Sequence, residues 1–334
     1  MEAQALITSS DQTFSIETVT LPEMAKDQIT VKTQFSGVSI GTEFALIRGK
    51  LSWGLYPLCT GYQGTGIVEA VGEDISNIQL GERVFFRCCD GMALADGSRV
   101  SVVSGTHASH VVLNPDTTHG AEALPPGVDM ATGSLFVMPA VGLYGADMAQ
   151  PRMGETVVIF GCGLIGLGAL ASCVHRGCVV AAVDLLERRL EMARGFGADH
   201  LIDASVENVA ERVAQLFPGG ADVVFECTGI PALINQAIPL CRTEGTFVWQ
   251  GNYGQDPLAF DFLSAHGRRL KMVFPCDDGL QPCRRAVLRN MALGALPWEK
   301  TITHRISWKE APEIYGRILQ GDPGIVGVVL DWTK

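Results

Sequence analysis

Gly161, Gly163 and Gly166 stand in G-x-G-x-x-G spacing, and Asp184 follows 18 residues after the last of them. Residues of these types at these intervals can hold a dinucleotide. Gly161 permits a sharp turn out of a strand. Gly163 has no Cβ, so a pyrophosphate can approach the backbone. Gly166 lets the next helix pack close to the strand. Leu164 and Ile165 lie in the same turn, where a helix N-terminus offers unpaired N–H groups and partial positive charge to phosphates. Asp184 can accept hydrogen bonds from the adenosine ribose hydroxyls and would repel a 2′-phosphate, so NAD is expected over NADP. Arg188 and Arg189 oppose this, because arginine near the turn can hold the extra phosphate. Arg189 is counted among the cofactor-binding residues; read blandly, both arginines are solvated helix charges and leave the preference with NAD.

The elements around this turn fit the chemistry. Thr156 to Phe160 is an apolar run rich in β-branched residues, and Cys178 to Val183 is a second one that ends at Asp184. Strand-like and helix-like stretches then alternate. Leu186 to Phe196 reads as a helix, His200 to Asp203 as a strand, and Val206 to Leu216 as a helix. Asp222 to Cys227 reads as a strand, Ile230 to Cys241 as a helix, and Gly245 to Gln250 as a strand. Alternation of this kind builds a doubly wound parallel sheet. Cys227, Thr228, Gly229, Gly251 and Asn252 then fall at the carboxyl ends of strands, where a cofactor sits. Residues 1 to about 115 differ. Short alternating runs at Thr13 to Thr20, Gln28 to Phe35, Gly66 to Val71 and His107 to Leu113 are punctuated by glycine and proline, which suits a distorted barrel. Ala131 to Ala149 has helical character. After Leu270 to Phe274, helices are expected at Arg284 to Leu293 and Lys309 to Leu319, and the chain closes with Ile325 to Trp332.

Composition narrows the function classes. A chain of 334 residues suggests two domains. A net charge of −11 disfavours nucleic acid and anionic membrane as partners. No signal-peptide pattern and no membrane-spanning apolar run is visible. The ten cysteines are scattered without a C-x-x-C pair, which points to reduced, buried thiols in a cytoplasm. His107 and His110, three apart on one apparent strand, make a poor ligand pair and read as surface or satisfied core residues.

Several passages together resemble the medium-chain dehydrogenase/reductase superfamily. Gly37 to Glu43 (GVSIGTE) is similar to its G-[IV]-C-G-T-D segment, and Gly61 to Val68 (GYQGTGIV) to its G-H-E-x-x-G-x-V segment. Val71-Gly72, Gly81 to Val84, Glu226 to Gly229 and Thr303 to Tyr315 are similar to further family stretches. The resemblance implies an α/β fold, a Rossmann doubly wound parallel sheet plus a β-rich GroES-like catalytic domain. It implies a catalytic domain at 1–137, an NAD-binding domain at 138–279 and a return segment at 280–334 that completes the first. It also implies an NAD-dependent alcohol dehydrogenase working on a small alcohol or ketone, as a homodimer or homotetramer. Gly251 to Gly254 and residues 270–275 suggest the dimerising edge.

The departures from the family concern zinc. Where its zinc enzymes place Cys, His and a third Cys or Glu, this chain has Ser39-Ile40, Tyr62, Gln63 and Met138. None is a good ligand for Zn²⁺. Cys88 and Cys89, being adjacent, cannot supply the family's structural four-cysteine lobe. No metal is therefore expected. Among zinc-free branches the chain resembles that of bacteriochlorophyllide hydroxyethyl dehydrogenase, which has similar S-x-G-T-E, G-Y-E and V-V-L-D-W segments. Without zinc, a general acid/base and hydrogen-bond donors must act in its place. The resemblance makes Tyr62 the acid/base, with a phenol of ordinary pKa near ~10 that a nicotinamide cation would lower. It aligns Thr42 with the family's proton-relay hydroxyl; Glu43 could orient that relay, and Ser39 or Gln63 could bind the substrate oxygen.

Blander roles stand beside these. Tyr62 fills vacated space, Glu43 bonds backbone or Arg48, and Thr42 caps a turn. Arg48, Lys50, Trp53 and Tyr56 form a basic, aromatic stretch that could pair with and stack on an acidic or sugar-like substrate, or form an ordinary amphipathic loop. The leading function is oxidation of a secondary alcohol (polyol, sugar derivative or cyclic alcohol) without zinc. The alternatives are a C=C reductase of enoyl or quinone type, which Asp184 disfavours, and a lyase, epimerase or sensor with bound NAD.

Overall fold

The computed structural model describes Met1 to Lys334 and divides into two units, Met1–Phe136 with Leu288–Lys334, and Val137–Val287. No helix in either is long and apolar enough to cross a membrane.

The second unit is built on six parallel strands. Their order across the sheet is His200–Asp203, Val179–Asp184, Thr156–Phe160, Ala221–Glu226, Cys241–Trp249 and Lys271–Val273. This is the doubly wound Rossmann arrangement. Val157, Val158 and Ile159 are fully buried, as a central parallel strand covered on both faces requires. The order reverses between Thr156–Phe160 and Ala221–Glu226, and there the Cys227 N–H donates to the Phe160 carbonyl at 2.8 Å. Ligands bind at such a switch point. Two small-residue helices, Val137–Ala149 and Leu164–His175, pack backbone to backbone. A Cβ on Gly142 would lie 2.2 Å from the Ala169 nitrogen, and one on Gly168 would lie 2.7 Å from Pro139 Cα.

The expected single helix over 131–149 is two, Met130–Gly133 and Val137–Ala149. Pro139 is the reason: proline is tolerated in a first turn but not in a helix interior, so the helix restarts just before it. Ile230 to Cys241 also divides, into a helix at Pro231–Ala237 and a 3₁₀ turn at Ile238–Leu240, with Cys241 already opening the next strand. Lys271–Val273 is the sheet edge, paired only on its Cys241–Trp249 side, while residues 251–254 form a loop after that strand and not part of the edge.

The first unit holds a closed five-stranded barrel (Glu2–Thr8, Phe14–Thr20, Met92–Leu94, Arg99–Val102, Leu58–Cys59) and a seven-stranded sheet. In that sheet Ile29–Gly37 pairs antiparallel with Gly64–Val71 and with Gly327–Asp331 from the end of the chain. Leu330 lies opposite Ser36 and Asp331 opposite Phe35. The return segment is thereby woven into the sheet that carries Ser36 and whose strands lead to Ser39 and from Tyr62. An apolar core of Phe44, Ile47, Ile314, Tyr315, Ile318 and Leu330 seals this end.

Candidate active site

In the first unit, Thr42–Ile47 forms a short helix just after the strand Ile29–Gly37. Tyr62 precedes the strand Gly64–Val71 and turns at Gly61, whose φ is +90°. A Cβ on Gly61 would lie 2.7 Å from the His107 ring, so this approach needs glycine. These local features bring the hydroxyls together. The half-buried Tyr62 hydroxyl donates to Ser39 Oγ at 2.6 Å and lies 3.4 Å from Thr42 Oγ1. The Thr42 N–H also donates to Ser39 Oγ, at 3.4 Å. Ser39 is buried and Thr42 half-buried. Burial pushes the Tyr62 phenol above its ordinary pKa, against the opposing pull of Ser39, Thr42 and Arg87. The expected lowering is therefore not a property of the protein alone.

Beneath these hydroxyls lies a buried carboxylate. Glu43 accepts from the Ser39 N–H at 2.7 Å, the Thr60 hydroxyl at 2.8 Å, His107 Nε2 at 3.1 Å and the Tyr315 hydroxyl at 2.5 Å. Burial works to raise the Glu43 pKa, but His107, Tyr315 and the Ser39 amide outweigh it and hold the group below its ordinary value. Four donors converging on one acid mark it as an ionised acceptor. The partner is not Arg48, whose guanidinium donates to the Ile318 and Leu319 carbonyls at 3.2 Å each. Arg48 is exposed, as is Trp53.

Sequence reasoning missed the extent of this network. His107 lies just before the strand His110–Leu113, not within it, and is fully buried. Its Nδ1 meets Ser36 Oγ at 2.8 Å, and Ser36 Oγ also accepts from Trp332 Nε1 at 2.8 Å. His107 therefore bridges Ser36 through Nδ1 and Glu43 through Nε2, both ring nitrogens being engaged. His107 is thus a satisfied core histidine, while His110 sits 3.3 Å from Glu69. Gln63 is fully buried, and its backbone is tied to Thr106 Oγ1 through both N–H (3.3 Å) and C=O (3.1 Å).

In the second unit, Gly161 (φ +88°) makes the turn and Gly166 makes the close contact. A Cβ on Gly166 would lie 1.9 Å from the Gly161 carbonyl oxygen. Gly163 is different: its φ is −74°, and a Cβ there would meet nothing within 4 Å. Neither torsion nor protein packing asks for glycine at that position. Space for a ligand at the helix N-terminus does, so the turn fits a dinucleotide phosphate. Leu164 is buried and Ile165 half-buried on the first helical turn. Asp184 ends its strand as expected. Its Oδ2 accepts from the Cys162 N–H at 2.8 Å and its Oδ1 from the Leu186 N–H at 3.0 Å, which leaves acceptor capacity on both oxygens. Arg189 turns toward it at 3.9 Å, and Arg188 is exposed. Arg189 is thus partly exposed and beside the acid at the end of the cofactor turn.

At the adjoining strand end, the buried Glu226 accepts from the Thr228 hydroxyl, from the Thr228 and Gly229 N–H groups (2.9 and 3.1 Å), and from the Tyr253 hydroxyl (2.5 Å). This carboxylate shapes the turn Cys227–Gly229. A Cβ on Gly251 would lie 2.4 Å from the Gly229 nitrogen, which ties the Gly251–Asn252 loop to that turn. Met138 is buried in this unit.

Residues 25–123 match the family model of the alcohol dehydrogenase GroES-like domain, and residues 165–291 that of the zinc-binding dehydrogenase. The chain belongs to the medium-chain dehydrogenase/reductase superfamily. It is a nicotinamide-linked oxidoreductase acting on CH–OH groups. Among curated relatives, a D-xylulose reductase of Saccharomyces cerevisiae is 25% identical over 93% of both chains. Sorbitol dehydrogenase 1 of the same yeast is 27% identical over 78% of this chain and 77% of its own. Among solved structures, a Sinorhizobium meliloti 1021 protein assigned to the zinc-binding dehydrogenases, bound to NADP, superposes with a TM-score of 0.85 at 25% identity over 99% of both chains.

Proposed function

We propose that this superfamily member oxidises a secondary alcohol of a polyol, sugar derivative or cyclic alcohol to the ketone, with NAD as acceptor and without a catalytic zinc. The observation that carries this reading is the Tyr62–Ser39 hydrogen bond of 2.6 Å, formed by residues at positions where the zinc enzymes place ligands. Hydroxyls and an amide do not fit Zn²⁺. The nearest carboxylate, Glu43, is committed to four donors, and nowhere are three or more His, Cys, Asp or Glu side chains grouped to hold a metal. The names of the yeast relatives support the polyol class.

Asp184 supports NAD. Its acceptor oxygens suit ribose hydroxyls and repel a phosphate, and Arg189 is drawn to it. NADP in the Sinorhizobium relative is that protein's own property. Bound NAD supplies the hydride acceptor. Tyr62, as phenolate, takes the hydroxyl proton of the alcohol. Ser39 orients the Tyr62 oxygen, and Thr42 is placed to receive the proton from it. We read the Lys271–Val273 edge as the surface for a homo-oligomer.

The test is a screen of xylitol, sorbitol and butane-2,3-diol with NAD⁺ and NADP⁺, using chelator-treated protein whose metal content has been measured. NAD⁺-dependent turnover that survives chelation and is lost in Tyr62→Phe is expected. Stoichiometric zinc whose removal abolishes turnover and whose return restores it would overturn the metal-free reading.

A further inference from the structure

Register places an arginine beside the candidate acid/base. The strand Arg83–Phe86 runs antiparallel to Gly64–Val71, with Phe86 opposite Gly64 and Phe85 opposite Thr65. Continued one step, that register sets Arg87 against the residues just before Gly64. A Cβ on Gly64 would lie 2.8 Å from the Phe86 ring, so the two strands approach here as only glycine allows. Arg87 is only 7% exposed. Its Nε donates to the Tyr62 carbonyl at 3.2 Å, and its guanidinium carbon lies 5.4 Å from the centre of the Tyr62 ring. One side chain thus grips both the backbone and the ring of Tyr62.

We propose that Arg87 is a positioning residue for Tyr62, its guanidinium fixing the ring and favouring the ionised phenolate over the neutral phenol. This rests on the reading of Tyr62 as acid/base. Two charged groups bear on Tyr62 from opposite sides of the balance, Arg87 and Glu43. Arg87 stands over the ring from its strand. Glu43 acts from the Thr42–Ile47 helix, with His107 bonded to it. Glu43 and burial oppose the phenolate, and Arg87 favours it. The phenol oxygen lies within hydrogen-bond distance of the neutral hydroxyls of Ser39 and Thr42. Arg87 is the cation that offsets the buried carboxylate.

The experiment needs no substrate. The full chain is labelled with fluorotyrosine, and its five tyrosines are followed by fluorine NMR against pH, the Tyr62 resonance being assigned by its loss in Tyr62→Phe. Arg87→Gln keeps an N–H for the Tyr62 carbonyl but removes the charge. Arg87→Met keeps bulk alone, and Arg87→Lys keeps the charge. The Tyr62 midpoint is expected to rise by about one pH unit, tenfold in ionisation, in both neutral variants and to stay near the parent value in Arg87→Lys. An unchanged midpoint in Arg87→Gln, or an equal rise in Arg87→Lys, overturns the proposal. Failure of the acid/base reading appears separately, as Tyr62→Phe that turns over alcohol undiminished.

Discussion

The Tyr315 hydroxyl donates to Glu43 Oε2 at 2.5 Å across 272 residues of chain. The return segment therefore reaches the carboxylate that holds the Ser39 backbone, and the Tyr62 hydroxyl hangs on Ser39. Glu43 is a structural anion under the hydroxyl cluster, one bond removed from the chemistry.

Replacing Glu43 by Gln puts an amide N–H₂ among donors that already point inward. Folding stability is expected to fall by about 2–4 kcal/mol, measured by urea unfolding. The pH dependence follows from the lowered pKa. A group depressed on folding contributes stability that is complete above its ordinary value of 4.5 and is lost as pH falls through the folded value. The parent protein should lose stability steeply below that point. Glu43→Gln should show a shallower acid limb, and identical limbs would deny Glu43 its ionised role.

Ser39→Ala removes the acceptor that orients the Tyr62 hydroxyl and leaves the Glu43–Ser39 backbone bond in place. A fall in kcat of about 10- to 100-fold is expected, smaller than the ~10²- to 10⁴-fold loss for Tyr62→Phe. The KM for NAD⁺ should not change, because Asp184 and the glycine turn are untouched. A loss carried wholly by KM for the cofactor would contradict the assignment.

The dinucleotide turn was legible in the sequence because its information is local. Gly161, Gly166 and Asp184 act on neighbours within one strand–turn–helix–strand unit, and the contacts of Gly166 with Gly161 and of Asp184 with Cys162 are those that the spacing implies. The hydroxyl cluster was legible only as a set of positions, since Ser39 and Tyr62 meet through strand pairing. Its foundation was not legible at all. His107 and Tyr315 reach Glu43 from 64 and 272 residues away, and no periodicity encodes such partners.

Asp184→Ala removes both the ribose acceptor and the repulsion of a 2′-phosphate, and it frees Arg189. kcat/KM for NAD⁺ is expected to drop by about 10- to 100-fold, as losing one or two charge-assisted hydrogen bonds requires. kcat/KM for NADP⁺ should fall less or rise. Equal losses for both cofactors would show that Asp184 serves only the Cys162 and Leu186 amides.

Gly163→Ala and Gly166→Ala separate binding from folding. The methyl at position 163 enters open space and that at 166 strikes the Gly161 carbonyl oxygen, 1.9 Å away. Gly166→Ala must therefore displace the helix Leu164–His175 from its strand, and a stability loss of about 1–3 kcal/mol is expected, read as a lower Tm without ligand. Gly163→Ala should melt like the parent because its backbone angles are ordinary and nothing in the protein is touched. With NAD⁺ added, the parent should gain Tm by mass action and Gly163→Ala should gain far less. The same methyl that the empty turn accepts would occupy the place where a phosphate must approach the amide groups. A full NAD⁺-induced shift in Gly163→Ala would mean that the pyrophosphate does not pass over this residue.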